Sequence, residues 1–426
     1  MSRPGNIIVK RRECRQLEEH SGGWLLVYGR RKTGKTWLLR RCIEWDVYAT
    51  VTSTGECILE SVEGSRLLSL EECMSKVVGL LRKGDTVVLD EFQRLPQRYW
   101  DYLATVHSYS EGLLVSCGSS MSITSKVFDR RSPLLGVFQV LKIDMASIAD
   151  TIASLHMQGL RPREAVLWAP LVRDPWILAH AQPKGDPWKL LARLAPRLAM
   201  VSRGLVGEVF EEEERSLTRT YDAVLQMLAE GVWNSSEISH RLHSMGLASS
   251  PHPGSATSVL AVLESMGLVE RVPLWRTRGA RVYYRHRSSL VSLLYYTLPI
   301  VEANLTVDTE SLRSRYGVEF QFNMGELLAE AKELRRGYSM PHGNPDIDVL
   351  LLDKRGKPLW GYEVKIGEID ENEAISAVRY MRSLGIPSVG VVSAARKPPL
   401  VGDEQLGPEE LVGLAYKISG VDSDKQ

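Results

Sequence analysis

The sequence predicts an α/β protein of several domains, and three stretches carry that prediction. The apolar segment Trp24 to Tyr28 runs into the turn Gly29-Arg30-Arg31-Lys32-Thr33-Gly34-Lys35-Thr36, and Trp37 to Ile43 follows with apolar residues at helical spacing. A second strand-like run, Thr86 to Leu89, ends in the adjacent carboxylates Asp90 and Glu91. Far downstream, two apolar runs flank the turn Lys354 to Pro358 and carry Asp348, Glu363 and Lys365. Strands alternating with helical patterns favour a parallel sheet. At 426 residues the chain is long enough for two to four domains, at roughly 100–200 residues each.

Composition narrows the class. Apolar residues make up 44% and charged residues 25% of the chain, the balance of a soluble globular protein. The net charge is +1, so any affinity for nucleic acid has to come from a local patch. Cys14, Cys42, Cys57, Cys73 and Cys117 all lie early in the chain without a C-x-x-C pair, which argues against a zinc ribbon and a secreted disulfide scaffold. Met1 to Lys10 lacks the apolar stretch of a signal peptide. The most apolar run, Leu290 to Leu305, is interrupted by Ser292, Pro299 and Glu302 and is unsuited to spanning a membrane. The expectation is a cytoplasmic protein with no membrane partner.

Taken in order, the first element is a charged helix around Lys10 to Leu17, leading into the strand before the glycine turn. The turn satisfies G-x-x-x-x-G-K-[ST], and its strand–turn–helix setting is what that motif requires. Gly29 and Gly34 let the backbone curl so that the N–H groups of Arg30, Arg31, Lys32, Thr33 and their neighbours face phosphate oxygens, at the positive end of the following helix. Lys35 then reaches the β- and γ-phosphates, and Thr36 offers its hydroxyl to Mg²⁺. The expected cofactors are ATP and Mg²⁺. Val47 to Thr52 reads as a neighbouring strand and Ser65 to Leu81 as a helix. In the strand ending at Asp90, that residue would hold the Mg²⁺ hydration shell, and Glu91 would polarise the attacking water. A further strand, Gly112 to Cys117, ends in Gly118-Ser119-Ser120. Ser119 there either senses the γ-phosphate or sits in an ordinary strand-to-helix turn.

These stretches carry a resemblance. Residues 1 to about 300 resemble the archaeal P-loop ATPase family related to AAA+ and STAND NTPases, on Gly29-Arg30-Arg31, Asp90-Glu91-Phe92-Gln93 and Gly118-Ser119-Ser120. Where the family carries P-L-Y-G-R, this chain has Pro133-Leu134-Leu135-Gly136-Val137, with Arg130 and Arg131 just upstream. Its lid segment reads Val172-Arg173-Asp174-Pro175. The arginine that would meet the transition state is therefore left unassigned. The resemblance leaves room for a homo-oligomer.

Residues 145–215 are helical in pattern and suit a lid over the nucleotide, with Glu211 to Glu214 as a solvated helix face. Residues 216–300 read helix, helix, helix, two-stranded ribbon, the order of a winged helix-turn-helix. The ribbon stretch is rich in arginine, including Arg271, Arg276, Arg278, Arg281, Arg285 and Arg287, with Trp275, Tyr283 and Tyr284 between them. Arg276, Arg278 and Arg281 are the candidate DNA-phosphate contacts. The alternative is a packing module whose arginines pair with acidic faces elsewhere.

The last part, residues 301–426, carries a second signature. If the hairpin turns about Arg355-Gly356, Asp348 faces Glu363 and Asp346 faces Lys365, and side chains two apart share a face. Asp346, Asp348, Glu363 and Lys365 then cluster, a set able to bind Mg²⁺ and orient a water at a phosphodiester. This arrangement resembles the PD-(D/E)xK nuclease superfamily, a domain that ATPases of the archaeal family often carry at their C-terminus. The resemblance implies Asp348 and Glu363 as metal ligands, Lys365 as the catalytic lysine and Glu326 as a fourth member. The expected fold is thus a P-loop NTPase core (residues 1–144), helical lid, winged helix-turn-helix and C-terminal α/β nuclease-like domain. The expected function is an ATP-hydrolysing DNA-processing enzyme. The alternative is an ATP-driven switch whose last domain binds nucleic acid or protein without cutting.

Overall fold

The computed structural model describes residues 7–20, 22–119, 123–275, 281–339 and 346–420. The chain divides into two compact units. One comprises Arg12–Met145 with Gly207–Ser216, and the other comprises Met1–Arg11, Ala146–Val206 and Leu217–Gln426.

In the first unit α1 (Arg12–Glu18) precedes β1 (Trp24–Tyr28), α2 (Lys35–Cys42) and β2 (Val47–Val51). A hairpin of β3 (Glu56–Ser61) and β4 (Gly64–Ser69) follows, then α3 (Leu70–Leu81), β5 (Thr86–Asp90), α4 (Arg98–His107), β6 (Leu113–Gly118), α5 (Ile123–Val127) and β7 (Phe138–Lys142). The seven strands lie in the order β4-β3-β2-β5-β6-β1-β7, parallel from β2 to β7, with β3 and β4 antiparallel. β1, β5 and β6 are nearly continuous apolar runs because both faces of a parallel sheet are covered. β6 alone separates β1 from β5. The glycine turn, Asp90 and Ser119 therefore emerge together at the carboxyl ends of neighbouring strands, where open α/β sheets bind ligands.

The helix expected over Ser65 to Leu81 starts only at Leu70. Ser69 accepts from the Glu72 N–H and the Glu72 carboxylate answers at the Ser69 N–H, a capping box that fixes the start. The residues before it form the edge strand β4 instead, with Leu67 exposed. Disulfides join Cys14 to Cys42, tying α1 to α2, and Cys57 to Cys73, tying β3 to α3. The cysteine spacing argues against a secreted disulfide scaffold, yet this unit holds two disulfides. The unit still rests on an apolar core built from α3, α4 and the sheet, in which Cys57 and Cys73 are fully buried.

The second unit begins with α6 (Ile148–Met157), α7 (Pro162–Val172) and α8 (Pro187–Glu212), the last residues of which belong to the first unit. Next come α9 (Arg219–Glu230), α10 (Ser235–Ser244), α11 (Pro253–Ser265), and a ribbon of β8 (Val269–Pro273) and β9 (Val282–His286). α12 (Ser289–Glu302) and α13 (Thr309–Ala331) lead into β10 (Arg335–Ser339), β11 (Ile347–Leu352) and β12 (Pro358–Lys365). The chain closes with α14 (Glu371–Ser383), β13 (Ser388–Ser393), β14 (Glu404–Leu406) and α15 (Pro408–Ser419). Strands β10 to β14 form a five-stranded sheet in chain order, with β10–β11–β12 antiparallel and β12–β13–β14 parallel. An extensive apolar cluster joins the helices of this unit to its sheet. It includes Ile152 of α6, Trp168 of α7, Leu293 of α12, Phe320 of α13, Leu351 of β11 and Leu411 of α15. Among the described residues no helix is long and apolar enough to cross a membrane.

Asp353 N–H bonds the Lys357 carbonyl, so the turn centres on Arg355. A bulge between Leu351 and Leu352 restores the lost residue, and Val349 pairs with Tyr362. Asp348 and Glu363 consequently stand opposite each other, although the turn and the ladder depart from strict symmetry.

Candidate functional site

Space dictates the glycine at the end of β1. Gly29 has φ 153°, and a Cβ there would lie 2.0 Å from the Ile143 carbonyl oxygen. Gly34, at φ 91°, caps α2 without a side-chain acceptor. Between them Thr33 donates to the Arg30 carbonyl at 2.8 Å. The Lys35 ammonium is buried and donates to the Gly29 and Arg30 carbonyls, both at 2.8 Å. Burial lowers its pKa from the usual lysine value, against the pull of nearby Cys117, Glu212, Asp90 and Glu91. A buried cation held by loop carbonyls, in a cradle that a Cβ would fill, fits a phosphate group.

Asp90, buried at the end of β5, gathers three donors. Its Oδ2 accepts from the Thr36 hydroxyl at 2.9 Å and the Tyr48 hydroxyl at 2.6 Å, and its Oδ1 accepts from the Glu91 N–H at 2.8 Å. Thr36 and Asp90 thus meet as a Mg²⁺ site needs. Glu91 sits at φ 59°, a left-handed conformation costly for a side-chain-bearing residue and often found at functional sites. Its Oε2 accepts from Gln93 Nε2 at 2.7 Å, and the same amide donates to Ser119 Oγ at 2.8 Å. The Ser119 N–H returns a bond to Gln93 Oε1 at 3.3 Å. Gln93 therefore links the candidate base to the candidate sensor. Neither Gln93 nor Tyr48 was assigned a role from sequence. Gln93 had a signal in its place two residues after Glu91, whereas a tyrosine inside an apolar strand gives none.

Arg31 leaves the loop in another direction. Its guanidinium is ion-paired to Glu208 at 2.5 Å and to Glu212, both on the last turns of α8. Glu214 pairs with Lys126 at 2.6 Å. The acidic run expected as a solvated face is therefore partly engaged, with Glu212 turned toward the phosphate loop.

In the second unit Asp348 is half-buried, and its Oδ2 accepts from the Val364 N–H at 2.8 Å. Burial, then the facing Glu363, pushes its pKa up to about 7. Lys365 bonds Glu363 at 2.9 Å and Glu373 of α14 at 3.0 Å. Burial opposes the lysine charge, but these carboxylates outweigh it and raise its pKa. Asp346 turns to the Tyr338 hydroxyl at 3.2 Å. Among the described residues no third acidic, histidine or cysteine ligand atom closes on Asp348 and Glu363. The donors beside Mg²⁺ would thus be two carboxylates, with water completing the shell.

Glu326 does not join that pair. It binds Arg173 at 2.5 Å and Arg287 at 3.2 Å, and Arg336 lies 3.9 Å away. Burial would raise its pKa, but Arg173, Arg287 and Arg336 hold it well below the carboxylate range. The ribbon arginines are drawn into the same network. Arg285 pairs with Glu270 and Glu319, Arg287 with Glu270 at 3.0 Å, and Arg271 with Glu264 at 2.7 Å. Tyr283 packs against Trp233, Phe322 and Tyr338 with ring centroids 5.1–5.3 Å apart. Of the candidate DNA contacts, Arg281 is exposed, and Arg276 and Arg278 lie outside the described residues.

No protein-family model matches the chain, and no curated protein matches it. Among solved structures the chain is similar to the Walker-type ATPase of Pyrococcus abyssi, at 17% identity and TM-score 0.48, over 69% of this chain and 98% of that one. It is also similar to the Aeropyrum pernix ORC2 protein in ADPNP and ADP complexes (15%, 0.40, over 75% and 96%) and the Aeropyrum pernix ORC1 protein in complex with DNA (16%, 0.31, over 69% and 93%). At identities this low the chemistry of the site rests on the side chains described above.

Proposed function

We propose that the chain binds and hydrolyses ATP with Mg²⁺ and couples nucleotide state to Mg²⁺-dependent DNA cleavage by its C-terminal part. The observation that carries the ATPase reading is the meeting of Lys35, Thr36, Asp90 and Glu91 at the carboxyl ends of β1 and β5. The N–H groups of residues 29–36 and the Lys35 ammonium would hold the phosphates. The Thr36 hydroxyl oxygen, backed by Asp90, would hold Mg²⁺, which supplies charge neutralisation at the phosphoryl oxygens. Glu91 would take a proton from the attacking water, and Ser119, linked through Gln93, would register the γ-phosphate. Helices over residues 145–215 serve as the lid in this proposal, and residues 216–300 as a winged helix-turn-helix. Arg276, Arg278 and Arg281 supply the phosphate contacts to DNA. Assembly into a homo-oligomer belongs to the same proposal.

Residues 301–426 act in this reading as the PD-(D/E)xK-like nuclease. Asp348 and Glu363 would ligate Mg²⁺, and Lys365 would steady charge developing at the scissile phosphate. The assay is cleavage of single-stranded, duplex and branched DNA by the full chain, with and without Mg²⁺ and ATP. Asp348→Ala or Glu363→Ala should abolish metal-dependent cutting and leave ATP turnover in place. Lys365→Ala should retain metal binding while losing cleavage. A wild-type chain that cuts none of these under any metal removes the nuclease reading. The switch reading would then stand, favoured by Lys365 being held between Glu363 and Glu373 and by the burial of Arg285 and Arg287 in ion pairs.

A further inference from the structure

Tyr48, the second residue of β2, has no exposed surface. β2 is hydrogen-bonded directly to β5, with Tyr48 beside Val88 and Thr50 beside Asp90. The Tyr48 ring is fixed from two sides. Trp45 meets it edge-on with centroids 5.5 Å apart, and the Arg40 guanidinium lies 4.1 Å from its centroid. Arg40 is itself held by Glu60 at 2.5 and 3.0 Å. The hydroxyl at the end of this braced ring donates to Asp90 Oδ2 at 2.6 Å, the same oxygen that accepts from Thr36.

Phenylalanine would fill the same space and make the same ring contacts without a buried hydroxyl to satisfy. The hydroxyl reaches the carboxylate expected to sit behind Mg²⁺, so packing alone leaves it unexplained. Asp90 has to point one way for the Thr36 proton to rest on Oδ2 while the Thr36 oxygen lone pairs face the metal. The Glu91 N–H pins Oδ1, and the Tyr48 hydroxyl pins Oδ2. With both oxygens held, the carboxylate does not rotate when Mg²⁺ arrives, and Thr36 keeps its orientation.

We propose that Tyr48 is a positioning residue for the nucleotide's Mg²⁺, acting through Asp90 and Thr36 without touching the metal. This rests on the ATPase reading above. Outer-shell hydrogen-bond partners of metal ligands typically change metal affinity or activity by about 10- to 100-fold when removed.

The test uses the full chain and Tyr48→Phe, which keeps the ring and its contacts. Two titrations are made: Mg²⁺ dependence of ATP turnover, and binding of a fluorescent ADP in excess chelator. The variant should need about 10-fold more Mg²⁺ for half-maximal turnover, while metal-free ADP binding stays at the wild-type value. An unchanged Mg²⁺ requirement in a variant that binds ADP overturns the Tyr48 assignment alone. Equal losses of metal-free ADP binding and turnover make Tyr48 a structural residue and also overturn it. A wild-type chain that neither binds ADP nor turns over ATP overturns the ATPase reading, and this inference with it.

Discussion

A carboxyl group taken out of water resists ionisation, and Asp348 pairs that burial with a second carboxylate directly opposite. With a pKa raised to about 7, its favourable contribution to folding is fully present below the unfolded aspartate value, about 4. It is lost as pH rises toward and through 7. Asp348→Asn keeps an acceptor for the Val364 N–H and removes the charge. In chelator, the variant should match wild type near pH 4 and be more stable at pH 8, on the order of 2 kcal/mol by denaturant unfolding. Parallel pH profiles for the two proteins would contradict this account of the pair. Lys35, Thr36, Asp90 and Glu91 are visible in the sequence because their chemistry demands fixed types at short spacing. Tyr48 is not, since its contact is made across neighbouring strands, forty-two positions from Asp90. Glu326 misled for the related reason that a helix carboxylate upstream of the hairpin has no spacing that says which way it faces. Three arginines decide that: Arg173, Arg287 and Arg336.

Among the elements, α8 bears most directly on the phosphate loop. Its last turns deliver Glu208 and Glu212 to Arg31, and Glu212 is near enough to act on the Lys35 charge. Two carboxylates there compete with phosphate oxygens for the same cations. Replacing both, as Glu208→Gln with Glu212→Gln, should tighten ATP binding by about tenfold, equivalent to about 1.4 kcal/mol. Equilibrium titration with a fluorescent ATP analogue reads this directly, and weaker binding in the double variant would mean that the pairs hold the loop in its working shape. Six arginines in one stretch suggest a basic surface, yet Arg285 of β9 and Arg287 just beyond it are drawn into ion pairs with Glu270, Glu319 and Glu326. The carboxylates lie on β8 and α13, distant in sequence or on the partner strand, so composition of the stretch alone could not reveal them. The β3–β4 hairpin escaped for want of periodicity, since β4 is an exposed edge strand with no buried face to mark it.

At the scale of the whole chain, two sets of chemically suited side chains lie in separate compact units. The first unit holds the glycine loop and Asp90, while the second holds Asp348, Glu363 and Lys365. Within the second unit the lid segment and the C-terminal sheet share one apolar cluster, the ribbon packs in another with α13 and β10, and one ion network links all three. The sequence divides this stretch by changes of periodicity, which mark elements and say nothing of which faces are shared. Buried arginine–glutamate pairs are expensive to desolvate, and removing one partner typically costs about 3–5 kcal/mol, so substitutions there would disturb folding before function. The central claim is instead the ATP site, where the decisive side chains line a surface for phosphate and leave the core intact. The most direct measurement is nucleotide binding and steady-state ATP turnover by wild type, Lys35→Ala and Glu91→Gln under one Mg²⁺ concentration. The account predicts turnover by wild type alone, with ATP retained by Glu91→Gln, whose Asp90 and Thr36 still hold Mg²⁺, and binding severely weakened in Lys35→Ala. Wild-type turnover in either variant would contradict it.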